Sequence, residues 1–449
     1  MKISPMIGNV CQDSSSFFNL YPILDRSPPL RLRYPPMKDH RRAFITELQE
    51  HYRSPVRDPL WKHIYVSPGI EALYHSSEMQ ELSRIRQLGP THLLYPGAVH
   101  TRLNHSLGVY HLARLMMLTL LQEDSLDGCT PEGVRAFLAA ALLHDLGHFP
   151  YTHSLKGLPL GEHEQLGAEI ILESRNLRSI LSDQVNTDSS LVAAIIDTSM
   201  PSPNPEIERY RALLSGPLDP DKLDYLNRDA YFCGVPYGIQ DVDYIISKLR
   251  WDTGLDRPAL DYAGLGALEN LIFSKYLMYR YVYWHRTVRS ATAMVKRGLY
   301  RGLMEGVIQP EELYRVDDHS LLSVCREKRF PPFRLIEEVQ QRRLYRCIQE
   351  IPFRPEDPEH LRLEELSYRT RREEELTPKG IQDGVIIDIP EPISFEIDLP
   401  LLIPEDEAAP AHVFTPEVVR TMEQGLRMIR VFIREELHTR SSTIRLTGV

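Results

Sequence analysis

From about residue 66 to 330, apolar positions recur mostly at three- and four-residue spacing, in blocks separated by breaks such as "YPGAVH", "DSLDGCTPEG", "KGLPLGEH" and "MPSPNPE". That spacing predicts a bundle of helices joined by irregular loops. The block "VRAFLAAALLHDLGH" is almost wholly apolar up to His144 and predicts a buried helix, whereas "HTRLNHSLGVYHLARLMM", around His105, predicts an amphipathic one. Beyond 330 the texture changes. "LYRCIQEIPF", "GVIIDIP" and "ISFEIDLPLLI" read as strands, the last alternating Ile393, Phe395, Ile397 and Leu399 with Ser394, Glu396 and Asp398. Between them "PEDPEHLRLEELSYRTRREEEL" reads as a solvated mixed-charge helix or excursion, and "PEDEAAPAH" as a linker. Thr415 followed by Pro416 caps a last helix, with Val418, Val419, Met422, Leu426 and Ile429 on one stripe. The expected fold is mainly α: a proline-punctuated extension over 1–55 with one short helix in "RRAFITELQEHY", a helical domain over 56–330, and a smaller α+β lobe over 331–449.

With 449 residues, 42% hydrophobic and 25% charged, the chain can bury a sizeable core. Its formal charge of -10 argues against nucleic acid held by the whole surface, yet leaves room for a local basic pocket that grips a small anion. The five cysteines are odd in number, scattered and free of CxxC spacing, which fits a reducing compartment and excludes a thiolate metal site. The N-terminus lacks the apolar core of a signal peptide, and no apolar run reaches bilayer length. A cytoplasmic protein without a membrane partner is expected.

The stretch "ALLHDLGHFPYTH" closes a buried helix with His144, Asp145, His148 and His153. Imidazole and carboxylate are costly to bury unless they are paired or bound to a metal. A lone histidine on an apolar helix is usually a satisfied core residue. Here, however, His105 lies upstream and Asp221 lies downstream in "LDPDKLDYLNRDA", so two imidazoles and two carboxylates are available to one divalent ion. Such a mixed set suits Fe, Mn, Ni, Co, Zn or Mg and leaves positions open for water and a phosphoryl oxygen. Asp221, Tyr225, Arg228 and Asp229 fall at helical spacing on one face, with Lys222 beside Asp221. Acidic residues at a helix start need no further reason, but Lys222 and Arg228 among them do. Arg102, three residues before His105, carries a planar fork suited to phosphate oxygens.

The blocks "RQLGPTHLLYPGAVHTRLNHSLGV", "LLHDLGHFPYTH", "EHEQ", "DPDKLDYLNRDA" and "YWHRTVRSA" occur in one order, and over Val56 to about residue 350 the chain resembles the HD-domain metal-dependent phosphohydrolases. Within them it is similar to the deoxynucleoside triphosphate triphosphohydrolases related to the sterile-alpha-motif and HD-domain protein. The resemblance implies one divalent metal ion held by His105, His144, Asp145 and Asp221, and a catalytic pair in His148 and His163. It also implies phosphate contacts from Arg102, His153 and Lys222, and sugar or base contacts from Gln87, Leu88, Tyr225, Asp229 and Tyr283. The implied reaction is hydrolysis of a dNTP to deoxynucleoside and inorganic triphosphate by a homo-oligomer, a dimer or tetramer. The alternatives are an HD-fold phosphatase or phosphodiesterase on a mono-, cyclic or signalling nucleotide, and a non-catalytic nucleotide or single-strand nucleic-acid binder.

Two positions depart from the pattern. Lys156, in "YTHSLKG", stands where the resemblance calls for an acidic residue that orients His163. Glu162 and Glu164 flank that histidine, with side chains expected to point elsewhere on a helix. His75 and Ser83 stand where the vertebrate relative's regulatory nucleotide site has acidic and arginine residues, which argues against activation by that route.

Overall fold

A short antiparallel ribbon, β1 (Ser54–Asp58) and β2 (Lys62–Val66), leads into the helical body of the computed structural model, which describes residues 39–50, 54–123, 128–202, 204–404, 413–441 and 444–446. Before it lies α1 (Asp39–Glu50), the short helix expected near the N-terminus. Residues 1–38 of the N-terminal extension lie outside the described residues, as do residues 405–412 of the linker. Residues Asp39–Val449 form one compact unit.

The body is organised around α2 (Arg102–Gln122) and α3 (Pro131–Leu143). Both starts are set by sequence. Thr101 and Asn104 form a capping box on α2, and Thr130 caps α3 by accepting from Gly133 N at 3.0 Å, with Pro131 in the first turn. The spacing around His105 predicted an amphipathic helix, but α2 is buried on nearly every side. It packs against α1, α3, β2 and β3 (Leu249–Asp252), and its small residues let further helices close on it. Next come α4 (His163–Glu173), α5 (Ser189–Ile196), α6 (Pro220–Cys233), α7 (Leu265–Met278) and α8 (Arg286–Met304). Asp219 caps α6 through Lys222 N at 2.6 Å, and Gly234 at φ +68° ends it in the left-handed conformation that glycine adopts most readily.

Two glycines let these elements approach closely. A Cβ on Gly108 would sit 1.8 Å from Asp224 Oδ1, so α6 can lie against α2 only because that position is glycine. A Cβ on Gly147 would sit 1.9 Å from His163 O, so α4 can meet the loop after α3 for the same reason.

The C-terminal part is α+β. Strands β5 (Arg346–Pro352), β8 (Met428–Ile433) and β6 (Val385–Asp388) form an antiparallel sheet in that order, with Ile351 opposite Ile429 and Ile387 opposite Val431. The mixed-charge stretch forms two helices, α10 (Pro358–Glu364) and α11 (Leu366–Leu376), after α9 (Arg334–Gln340). Ile386 and Phe432 of the sheet join Ala291, Met294, Val295 and Leu299 of α8 and Phe149, Leu155 and Leu158 of the loop after α3 in a single core cluster. The loop carrying the histidines is thereby fixed from below.

Two expectations are corrected here. The last helix, α12 (Pro416–Leu426), is capped by Thr415 as expected but ends at Leu426. Ile429 therefore belongs to central strand β8, where the β-branched run gains two ladders that a longer helix would forgo. The segment at 393–399 is not a strand. Its side chains do alternate, with Phe395 and Leu399 buried and Ser394, Glu396 and Asp398 exposed, but among the described residues no strand pairs with it to complete a ladder. Only Leu401–Leu402 pair, as β7, parallel to β4 (Arg257–Asp261), the hairpin partner of β3. Among the described residues the four cysteines are free, and no helix is long and apolar enough to cross a membrane.

Candidate functional site

The end of α3, the start of α2 and the first turns of α6 meet at one corner of a cavity of about 530 Å³. Ligand atoms of His105, His144 and Asp145 lie within 4.8 Å of one another. Asp221 Oδ1 is 2.9 Å from His105 Nε2 and 4.0 Å from His144 Nε2, so the four residues spread over 117 positions of sequence converge. Both imidazoles are oriented by their other nitrogen. His105 Nδ1 donates to Asp224 Oδ2 at 2.8 Å and His144 Nδ1 to Ala141 O at 3.0 Å, which leaves each Nε2 facing the corner. His144 Nε2 is buried, 3.3 Å from Asp145 Oδ1, and has no hydrogen-bond partner among the described residues. Burial opposes charge on His105, but the Asp221 and Asp224 carboxylates outweigh it and raise its pKa to about 10. Burial likewise opposes ionisation of Asp221, and His105 overrides it, lowering the carboxyl to about 2. An anionic corner with an orphaned imidazole nitrogen is what a divalent cation requires.

Asp224 is a supporting group that the sequence reading did not assign. It is fully buried, accepts from Arg228 Nε at 2.8 Å and Nη2 at 2.9 Å, and Arg228 also pairs with Asp58 at 2.7 Å. Arg228 was expected on the face of Asp221, Tyr225 and Asp229; it lies instead with Asp224 behind the cavity wall, because two buried carboxylates there neutralise it. Asp224→Asn is expected to weaken divalent-metal affinity by about 10- to 100-fold, the usual effect of removing a group that orients a ligand. A metal titration on the folded variant checks it.

Beside this corner stand three histidines. His148 and His153 bring their Nε2 atoms to 3.1 Å, and the ring of His163 lies 4.0 Å from that of His148 and 5.1 Å from that of His153. Burial lowers the pKa of each, with the Arg102 charge adding to it, and His163 is brought to about 4. All three are neutral at pH 7. His148 Nδ1 approaches Asp145 Oδ1 to 3.1 Å without hydrogen-bond geometry. Glu164, expected to point away, places Oε1 3.1 Å from His163 Nε2: His163 opens α4, and the first helical turn leaves the next side chain free to fold back.

Arg102 is buried and donates from Nη1 to Asp145 Oδ2 at 2.9 Å, holding that carboxylate well below its usual pKa against the opposing effect of burial. The cavity lining also includes Gln87, Leu88, Tyr225, Asp229, Tyr279, Tyr283 and Trp284. Asp229 accepts from Tyr283 OH at 2.6 Å and lies 2.8 Å from His100 Nε2, another residue the sequence reading passed over. Of the residues singled out in the sequence as metal, catalytic or substrate contacts, all line the cavity except Lys222. Its ammonium is taken by Asp219 at 2.7 Å, Gly216 O at 2.9 Å and Glu396 at 2.8 Å.

This geometry coincides with what comparison with known proteins finds. Residues 102–216 match the HD domain and residues 240–424 the HD-associated region. The chain carries an HD domain. Among HD relatives, an uncharacterized protein of Bacillus subtilis is 36% identical over 55% of this chain and 55% of its own. A deoxynucleoside triphosphate triphosphohydrolase SAMHD1 homolog of Dictyostelium discoideum is 25% identical over 66% of this chain and 60% of its own. The HD chain thus spans little more than half the length of these curated relatives. A crystal structure of a hypothetical protein from Aquifex aeolicus superposes with a TM-score of 0.66 at 27% identity, covering 87% of this chain and 100% of that one.

Proposed function

We propose that the protein is a metal-dependent nucleotide phosphohydrolase that converts a dNTP to a deoxynucleoside and inorganic triphosphate. The observation that carries this reading is that a single cavity joins the His105, His144, Asp145 and Asp221 corner, the phosphate-facing Arg102 and His153, and the wall of Tyr225, Asp229 and Tyr283. Those first four residues would hold one divalent ion, whose chemistry is to polarise a phosphoryl oxygen and acidify a bound water. Arg102 lies against Asp145, where its guanidinium would offset negative charge developing on the phosphate oxygens. His148 and His153 bring their Nε2 atoms to 3.1 Å and the ring of His163 stands beside them, so the leaving 5′ oxygen or the water would find imidazole nitrogens as proton partners within the cavity. The name of the Dictyostelium relative supports the dNTP part of the reading.

The test is to incubate the purified protein with each dNTP and Mn²⁺ or Mg²⁺ and weigh the products. Inorganic triphosphate is expected. Single phosphate or a linear monophosphate would transfer the protein to the phosphatase or phosphodiesterase class, and absence of turnover would leave only a binder.

The sugar wall yields a second expectation. Asp229 is buried and already held by Tyr283 and His100, so the pocket closes around the sugar with a fixed edge. An added 2′ hydroxyl that meets such a wall is rejected by roughly 1–3 kcal/mol, about 10- to 200-fold in kcat/KM. Rates on dATP and ATP check it, and equal rates would overturn it.

A further inference from the structure

Residues 389–400 run from the end of β6 to β7 without joining a sheet. They are anchored from behind: Phe395 is buried and its N donates to Glu423 Oε1 at 2.9 Å, while Arg427 Nε donates to Pro390 O at 2.8 Å. The front of this strap meets three ammonium groups from three helices. Glu391 Oε1 lies 3.4 Å from Lys296 Nζ of α8, Ser394 O accepts from Lys275 Nζ of α7 at 2.9 Å, and Glu396 Oε2 lies 2.8 Å from Lys222 Nζ of α6. Lys296 also donates to Lys156 O at 2.5 Å, so the strap crosses from the catalytic-histidine loop to the metal-side helix. Glu391, Ile393 and Ser394 line the cavity, as do Lys275 and Lys296.

The two partners in each carboxylate pair differ. Lys222 and Lys296 side chains are only 14% and 12% exposed, whereas Glu396 and Glu391 are 41% and 47% exposed. Lys296 is therefore a fixed part of the wall and Lys222 a fixed group outside its lining, held also by Asp219 and Gly216 O, while the glutamates are the replaceable halves. Ion pairs with a half-exposed member are weak in water, while phosphate oxygens make charge-assisted bonds to the same ammonium groups.

We infer that the strap Glu391–Glu396 sets the charge selectivity of the site, its two carboxylates withholding Lys222 and Lys296 from any phosphate chain too short to displace them. This rests on the reading of the cavity as a phosphate-ester site. A single phosphate is served at the Arg102 and His153 corner with the strap pairs intact. A triphosphate reaches the lysines and must exchange places with Glu396 and Glu391.

The experiment is calorimetric titration of the full chain, in excess Mg²⁺, with inorganic tripolyphosphate and separately with inorganic phosphate. In Glu391→Gln/Glu396→Gln the tripolyphosphate Kd should fall by roughly 2- to 30-fold, the combined weight of two such pairs. The phosphate Kd should stay within about twofold, and the tripolyphosphate gain should shrink as salt screens the lysines. A control, Glu327→Gln/Glu356→Gln, makes the same change in net charge at two exposed positions outside the cavity lining and should move neither constant. Equal tightening for both anions, an equal effect of the control, no change, or no tripolyphosphate binding to either form would overturn the inference. Because the readout is binding, it is separable from the hydrolase reading. A protein that shows the strap effect but releases no triphosphate refutes only the latter, and one that turns over dNTPs with indifferent Kd values refutes only the strap.

Discussion

Asp145→Ala should emerge from purification without bound divalent metal and with turnover at the background level. Asp145 is the residue on which the site's two charge systems meet: Oδ1 lies 3.3 Å from His144 Nε2 at the metal corner, and Oδ2 accepts from Arg102 at 2.9 Å. Removing it deletes a ligand and at once releases a buried guanidinium into the space that the cation would occupy. Loss of a metal's electrostatic contribution amounts to several kcal/mol of transition-state stabilisation, so a fall in kcat/KM of about 10³-fold or more is expected. Elemental analysis measures the metal and product mass the turnover. Since a buried unpaired arginine also weakens the fold, His144→Ala serves as the companion: it removes a ligand whose Nε2 has no other partner among the described residues and should lose metal in a protein that melts normally. Full metal occupancy in both variants would show that the four residues do not form the site.

The helices that hold this corner were legible because their starts are written locally. Thr130-Pro131 and Asp219-Pro220 are cap and first-turn pairs, and they phase α3 and α6 so that His144, Asp145 and Asp221 face inward. What supports the corner was not legible. Asp224 and Asp221 look alike in the first turns of α6, and the arrival of α2 at Gly108 and of Trp61 beside Asp224, together with Arg228 one turn further along α6, makes one the orienting carboxylate and leaves the other at the cavity. His100 gave no signal for the same reason, since its partner Asp229 lies 129 positions away. The segment at 393–399 shows a different limit. Alternation reports which side chains turn inward, as Phe395 and Leu399 do fully and Ile393 and Ile397 in part; whether a neighbouring chain supplies ladder hydrogen bonds is a property of the rest of the fold. Lys222 was expected to face phosphate from its place beside Asp221, and the strap that turns it aside is encoded more than 170 residues later.

Lys156→Glu should raise triphosphohydrolase activity, most strongly near and above neutral pH. His163 is pushed down to about pKa 4 first by burial and then by the Arg102 and Lys156 charges, against the opposing pull of Asp145. A histidine in that state holds its proton only below about pH 4, so as a proton donor it is mostly spent at pH 7. Replacing the Lys156 charge by a carboxylate removes one of the downward influences and adds an upward one. The limb of the pH–rate profile that reports this acid then moves to higher pH, and each unit of movement is worth about tenfold in the protonated fraction above the pKa. Orientation is a separate matter. Glu164 Oε1 already lies 3.1 Å from His163 Nε2, although burial raises its own pKa and so weakens it as a charged partner. Glu164→Gln should therefore cost activity in the wild-type background and less in Lys156→Glu, where a second carboxylate is at hand. His163→Ala sets the scale, at about 10²- to 10⁴-fold for loss of a general acid or base. The measurement is kcat against pH for wild type and these variants. A Lys156→Glu profile superposable on wild type, with His163→Ala still inactive, would mean that Glu164 alone governs the histidine. If His163→Ala and Lys156→Glu were both silent in a protein that turns over nucleotide, the proton would have to pass through His148, whose Nε2 already meets His153 at 3.1 Å.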